Sequence, residues 1–218
     1  MVRCETVESL LGRIASAGPS GGGGAAAALT GATAAALVAM AAGVAARRAP
    51  EDSGLREIVD DMQALRARMV ALIEEDVATF GRVVEARRLA DDARAGAMRD
   101  ALIGATEVPL ELAAASAHVL EQCAAMLPRA RPSTLADLGV AAALAAAALE
   151  GAALTARANL AALDGAAPEG TGLTARANLE GVSAPVFVAE SRKRLDRLLR
   201  EGATLRAGLP RAGEDSGR

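Results

Sequence analysis

A chain of 218 residues with no Trp, no Tyr and only two Phe, Phe80 and Phe187, must build its core from small and medium aliphatic side chains. Those side chains leave one economical solution. Ala is the best helix former and loses no side-chain entropy on folding. Strands favour β-branched and aromatic residues in period-two alternation, and no window of this sequence supplies that pattern. The chain therefore reads as all-α, a bundle of long Ala-rich helices, with one domain over residues 1–209 and a small polar tail over residues 210–218.

Six helices are expected, at about residues 5–17, 25–48, 54–89, 95–127, 134–163 and 183–205. Pro19 and the run Gly21, Gly22, Gly23, Gly24 separate the first two, and Pro50 ends the second. Pro128 and Pro132 bound the loop before the fifth, and Ser183 is the expected N-cap of the last. Pro109 falls inside the fourth helix, where a proline bends the axis and leaves the carbonyl one turn earlier without its donor. The third helix carries an apolar stripe at spacings of three and four: Ile58, Met62, Leu65, Met69, Leu72, then Asp76, Phe80 and Val83.

Residues 14–46 carry no charge. A long uncharged run is a membrane-span candidate. This one opens on a Pro-Ser-Gly-Gly-Gly-Gly break and is mostly Ala, Gly and Thr, and Glu5 and Glu8 precede it where a signal peptide would be basic. It reads as a buried central helix, with no membrane role. The formal net charge of −3 argues against a nucleic-acid partner, which calls for a basic surface. Cys4 and Cys123 form no disulfide framework, so the expected location is the reducing cytoplasm. His118 is the one histidine and has no zinc-ligand spacing around it, so no metal is expected. Its place on a polar face, away from Leu112, Val119 and Cys123, makes it a surface residue.

Asp76 stands where the third helix's stripe requires an apolar residue. A carboxylate on a buried face is costly unless it is paired or used, and burial raises its pKa toward the range useful in proton transfer. Four glycines before a helix allow backbone amides to converge on an anion, although the sequence around them matches neither a nucleotide P-loop nor a dinucleotide fingerprint. Asp137 lies three residues after Thr134, a spacing that fits a capping box equally well. Arg157 and Asn159 lie two apart on an Ala-rich helix and cannot share a face: an inward Arg157 could bind a carboxylate in bidentate fashion, and a surface Arg with a helix-ending Asn is the alternative. The basic run Arg192, Lys193, Arg194, Arg197 and Arg200 is a solvated helix face. The heptapeptide at residues 154–160 (Leu-Thr-Ala-Arg-Ala-Asn-Leu) recurs at residues 173–179, a local duplication rather than a solenoid repeat.

Several of these stretches, in order, resemble the cyclodeaminase/cyclohydrolase family. Residues 19–29 are similar to its Pro-Thr-Pro-Gly-Gly-Gly-Ser-Ala-Ala-Ala signature. Residues 37–40, Glu75-Asp76 with Phe80, residues 106–111, residues 136–142, and Arg157, Asn159 and Leu160 continue the likeness. It spans about residues 7–199. Departures are Ser20 for Thr, Gly21 for Pro, Ala25 for Ser, Ser133 for Asn, Ala136 for Ser and Thr155 for Asn. The resemblance implies a homodimeric helical enzyme of folate one-carbon metabolism, with a tetrahydrofolate derivative as substrate and no prosthetic group. It acts as a methenyltetrahydrofolate cyclohydrolase or a formiminotetrahydrofolate cyclodeaminase. The free-standing chain favours the cyclohydrolase. Asp76 and Asp137 become the expected proton-transfer residues, and Ser20, Gly22, Gly23, Gly24, Arg157 and Asn159 the expected substrate contacts. The lost hydroxyl and amide groups leave a diverged cyclase or hydrolase acting on a non-folate substrate as the alternative, and a non-catalytic helical scaffold as the third.

Overall fold

The computed structural model describes residues 6–16, 22–165 and 184–209, and it contains six α-helices and no strand among them. They are α1 (Val7–Ile14), α2 (Gly23–Ala46), α3 (Ser53–Ala86), α4 (Asp91–Met126), α5 (Leu135–Leu163) and α6 (Pro185–Ala207). Each coincides with an expected helix to within a few residues. Two short 3₁₀ turns, Leu127–Arg129 and Pro132–Thr134, carry the chain past its two loop prolines. Pro185 opens α6, where a missing N–H costs nothing. Ser183, Ser20, the second copy of the heptapeptide and the tail from residue 210 lie outside the described residues.

The layers are set by side-chain size. α2 lies against α3, α4 and α5, and most of its buried positions are alanines. Small side chains let helix axes approach until backbone nearly meets backbone. A Cβ added to Gly31 would stand 3.0 Å from the Met69 Sδ and 3.4 Å from the Ala148 Cβ. One added to Gly151 would stand 3.2 Å from the Ala27 Cβ, at the tight end of packing distances. Around this Ala layer the larger residues of α3, α4 and α5 close the core: Met62, Met69, Leu72, Leu112, Leu120 and Leu138 are all fully buried. The α3 stripe faces inward as its spacing requires, with Ile58, Met62, Met69, Leu72 and Val83 buried. A second, smaller cluster of Val83, Met98, Leu102, Leu163 and Val188 ties the far ends of α3, α4, α5 and α6. Asp164 caps the C-terminus of α5, and Gly165 follows at φ 67°, the left-handed conformation that glycine adopts without cost.

Pro109 explains an otherwise odd buried amide. With no N–H of its own, it leaves the Ala105 carbonyl unpaired within α4. Asn159, buried on α5, donates its Nδ2–H to that carbonyl at 2.8 Å. Removing the donor strands a buried acceptor, so Asn159→Ala is expected to cost about 1–3 kcal/mol. At this chain length each kcal/mol lowers Tm by roughly 2–4 °C. In a Pro109→Ala background the restored N–H satisfies Ala105, and the same substitution should cost clearly less. Equal losses in the two backgrounds, measured by thermal denaturation, would reject this account of the pair.

Candidate active site

Asp76 sits in the middle of α3 with its carboxyl aimed at the first turn of α2. The Ala25 N–H donates to it, as a helix N-terminus does to any anion placed there. A Cβ added to Gly24 would lie 2.6 Å from the carboxyl carbon and 2.7 Å from Oδ2. Gly24 is therefore a glycine because the carboxyl occupies the space a side chain would need. Burial pushes the Asp76 carboxyl above the ordinary carboxylate range, and the Ala25 N–H offsets part of that rise. Thr155 on α5 forms the third side. A Cβ on Gly23 would be 3.8 Å from its Oγ1, and the hydroxyl itself donates to the Gly151 carbonyl at 3.2 Å. The glycine turn, Asp76 and the Thr155 turn of α5 thus lie together.

The other expected residues lie elsewhere within one chain. Asp137 is half-exposed in the first turn of α5. It stands eighteen residues before Thr155, about 27 Å along the helix at about 1.5 Å per residue. Thr134 does not build the capping box with it, because its hydroxyl donates to the Arg131 carbonyl at 3.1 Å. Arg157 is exposed on the flank of α5 turned toward α6, where it pairs with Asp196 at 3.4 Å. Asn159 is the inward member of that pair, and its amide is engaged with Ala105. Gly22 and Gly23 are exposed at the start of α2, and Ser20 lies outside the described residues.

A polar groove of about 390 Å³ opens on the opposite flank of α3, between α3 and α4. Asp76 faces α2, and its neighbour Glu75 faces this groove. Arg68 lies at its centre and bridges the two helices. It donates to both carboxylate oxygens of Glu75, the second at 3.0 Å, and to those of Glu111 at 2.6 and 2.7 Å. Hydrogen bonding to Arg68 holds the Glu111 carboxyl below its usual range. Arg82, Glu107 and Thr79 also line it. The Thr79 hydroxyl donates to the carbonyls of Glu75 and Asp76 at 2.9 and 3.0 Å, tying the groove wall to the backbone that carries Asp76. Arg68, Arg82, Glu107 and Glu111 were not among the expected site residues. Only the family-like stretches Glu75-Asp76 and residues 106–111 hinted at them.

His118 is half-exposed and links two helices, through Nε2 to Asp61 on α3 at 2.7 Å and through Nδ1 to Glu121 at 3.0 Å. Burial alone would lower its pKa, but the two carboxylates outweigh burial and the net shift is upward. It lies outside both the Asp76 site and the groove lining. Cys123 on the same helix is buried, its thiol pushed up to about 12 by burial.

The site thus sets a half-buried acid of α3 against a glycine-rich helix start in an all-helical bundle. The chain belongs to the formiminotransferase-cyclodeaminase family, whose model matches residues 6–169. It is 30% identical over 210 residues to the methenyltetrahydrofolate cyclohydrolase of Methylorubrum extorquens, a match covering 92% of each chain. Its fold is similar to the crystal structure of formiminotetrahydrofolate cyclodeaminase from Thermotoga maritima, with a TM-score of 0.71 at 18% identity, covering 95% of this chain and 98% of that one.

Proposed function

We propose that this chain is an enzyme of folate one-carbon metabolism that opens 5,10-methenyltetrahydrofolate to 10-formyltetrahydrofolate. The observation that carries the reading is the Asp76 carboxyl, seated against the glycine turn of α2 and raised in pKa by burial. In the ring opening, water adds to the methenyl carbon, one carbon–nitrogen bond breaks and one proton is released. A carboxylate held beside that carbon takes the proton from the attacking water and returns one to the departing nitrogen, and the raised pKa brings it nearer to neutral working pH. The same charge faces a cationic substrate, so it favours binding as well.

One observation supports the cyclohydrolase over the cyclodeaminase. The 30% identical relative carries the cyclohydrolase name over nearly its whole length, whereas the likeness to the cyclodeaminase rests on fold. Ala25 contributes its N–H and no hydroxyl to the site, a departure that gives weight to the non-folate alternative.

The test is direct. Purified protein is mixed separately with 5,10-methenyltetrahydrofolate and 5-formiminotetrahydrofolate, and the methenyl chromophore is followed. Loss of the chromophore faster than in buffer, with 10-formyltetrahydrofolate as product, is the expected result. Appearance of the chromophore and ammonia from the formimino compound alone would make the protein a cyclodeaminase. Silence with both, together with no saturable folate binding, would overturn the folate reading.

A further inference from the structure

We propose that Phe80 and Arg87, which follow Asp76 along α3, hold the aminobenzoyl-glutamate arm of the substrate. The inference rests on the folate reading above and adds to it the residues that recognise the part of the ligand remote from the chemistry. Arg87 caps the C-terminus of α3 and is half-buried. Its Nε and Nη2 are buried and meet no acceptor among the described residues. Burial lowers its pKa, with no carboxylate to offset the fall. A buried guanidinium without a partner is costly, and its planar fork fits a carboxylate.

Helix geometry places this arginine on the face of α3 that carries Asp76. Eleven residues separate the two, three full turns and about 20° at about 3.6 residues per turn. Phe80 lies between them, one turn beyond Asp76 and about 40° round the axis. It is one of only two Phe in the chain, is half-buried, and belongs to neither hydrophobic cluster. α2 does not run beside these residues. It lies antiparallel to α3, with Gly43 against Val59, Gly31 against Met69 and Gly24 against Asp76. α2 begins at Gly23, so Phe80 and Arg87 lie past its start.

The order of the side chains matches the order of groups in the ligand. 5,10-Methenyltetrahydrofolate carries a cationic methenyl carbon, then a benzoyl ring, then a glutamate with two carboxylates. Asp76 answers the cation, the Phe80 ring packs on the benzoyl ring, and Arg87 receives a carboxylate. The spacing agrees as well. Eleven residues are about 16 Å of helix at about 1.5 Å per residue, and a hydrogen-bond length of about 3 Å at each end leaves roughly 10 Å. At about 1.4 Å per bond, the nearer carboxylate stands roughly 10 Å from the methenyl carbon through the rigid ring and amide. Arg87 binds without touching the reacting carbon, so its loss should appear in KM.

The experiment separates the arm from the chemistry. Arg87→Gln should raise KM for 5,10-methenyltetrahydrofolate roughly 10–100-fold, the loss of a hydrogen bond to a charged group, and lower kcat far less. Arg87→Lys should recover part of that loss. 5,10-Methenyltetrahydropteroate has no glutamate, and the wild type and Arg87→Gln should turn it over alike. Tm should hold or rise in Arg87→Gln, because a buried charge without a partner has been removed. An unchanged KM, or equal losses with both substrates, would overturn the proposal and leave the catalytic reading in place. A lower Tm with a matching fall in kcat would mark Arg87 as structural and overturn it too. A second readout needs no turnover: p-aminobenzoyl-L-glutamate is titrated into each protein by calorimetry. Saturable binding to the wild type is expected, weakened roughly tenfold or more in Arg87→Gln and about 2–10-fold in Phe80→Leu. No saturable binding to the wild type, or equal binding by all three proteins, would overturn the arm site whatever the enzyme turns over. A wild type that binds this fragment, loses it in Arg87→Gln, and turns over no methenyl compound would uphold the arm site and reject the catalytic reading.

Discussion

Replacing Asp76 by Asn should lower turnover of 5,10-methenyltetrahydrofolate by about 10²–10⁴-fold, the usual contribution of a positioned proton-transfer group. The fold should survive. An Asn oxygen can still accept from the Ala25 N–H, and the amide fills the same space beside Gly24. Stability should not fall at neutral pH, and the direction follows from the pKa. The Asp76 carboxyl binds its proton more tightly in the folded chain than in the unfolded one. Its contribution therefore favours the native state at low pH and is lost as pH rises through the raised folded value. Above that value the wild type carries a half-buried charge that the variant lacks. Asp76→Asn should thus match or exceed the wild-type Tm at pH 8 while losing activity. A variant that loses stability and activity together would recast Asp76 as a structural residue.

Gly24→Ala should be nearly as damaging, for a steric reason. The added methyl would lie 2.6 Å from the Asp76 carboxyl carbon, closer than unbonded carbons approach. Either the acid swings away or α2 is pushed outward. Overpacking of this kind costs about 1–3 kcal/mol, and misplacing a catalytic group by about 1 Å costs about 10²-fold in rate. Gly23→Ala is the informative comparison. Its methyl would meet only the Thr155 Oγ1, at an ordinary 3.8 Å, and thermal stability should hold. Equal Tm losses at the two neighbouring positions would mean that the turn needs glycine for its backbone and not for the space beside Asp76.

Much of this architecture was legible in the residues. Alanine richness and the scarcity of aromatic side chains left no plausible fold but packed helices, and the prolines at 50, 128 and 132 marked where they stop. Asp76 announced itself by interrupting an otherwise apolar stripe. What the sequence concealed was partnership over distance. Pro109 visibly frees a carbonyl, but nothing local says that the donor is Asn159, 54 residues away on another helix. Arg68 and Glu111, 43 residues apart, each read as ordinary solvated charges until α3 and α4 are laid side by side. Asp137 was grouped with Asp76 through the family resemblance. Only the length of α5 reveals that one chain cannot bring the two together.

The most direct test of the central claim is the pH dependence of kcat/KM for 5,10-methenyltetrahydrofolate, corrected for hydrolysis in buffer, in the wild type and in Asp76→Asn. The wild-type profile should rise with pH as Asp76 loses its proton, with an apparent pKa above the ordinary aspartate value of about 3.9. The variant should run far lower and lack that step. The same step at the same height in both proteins, or no enzymatic turnover at any pH, would contradict the assignment of Asp76 as the acid that moves the proton.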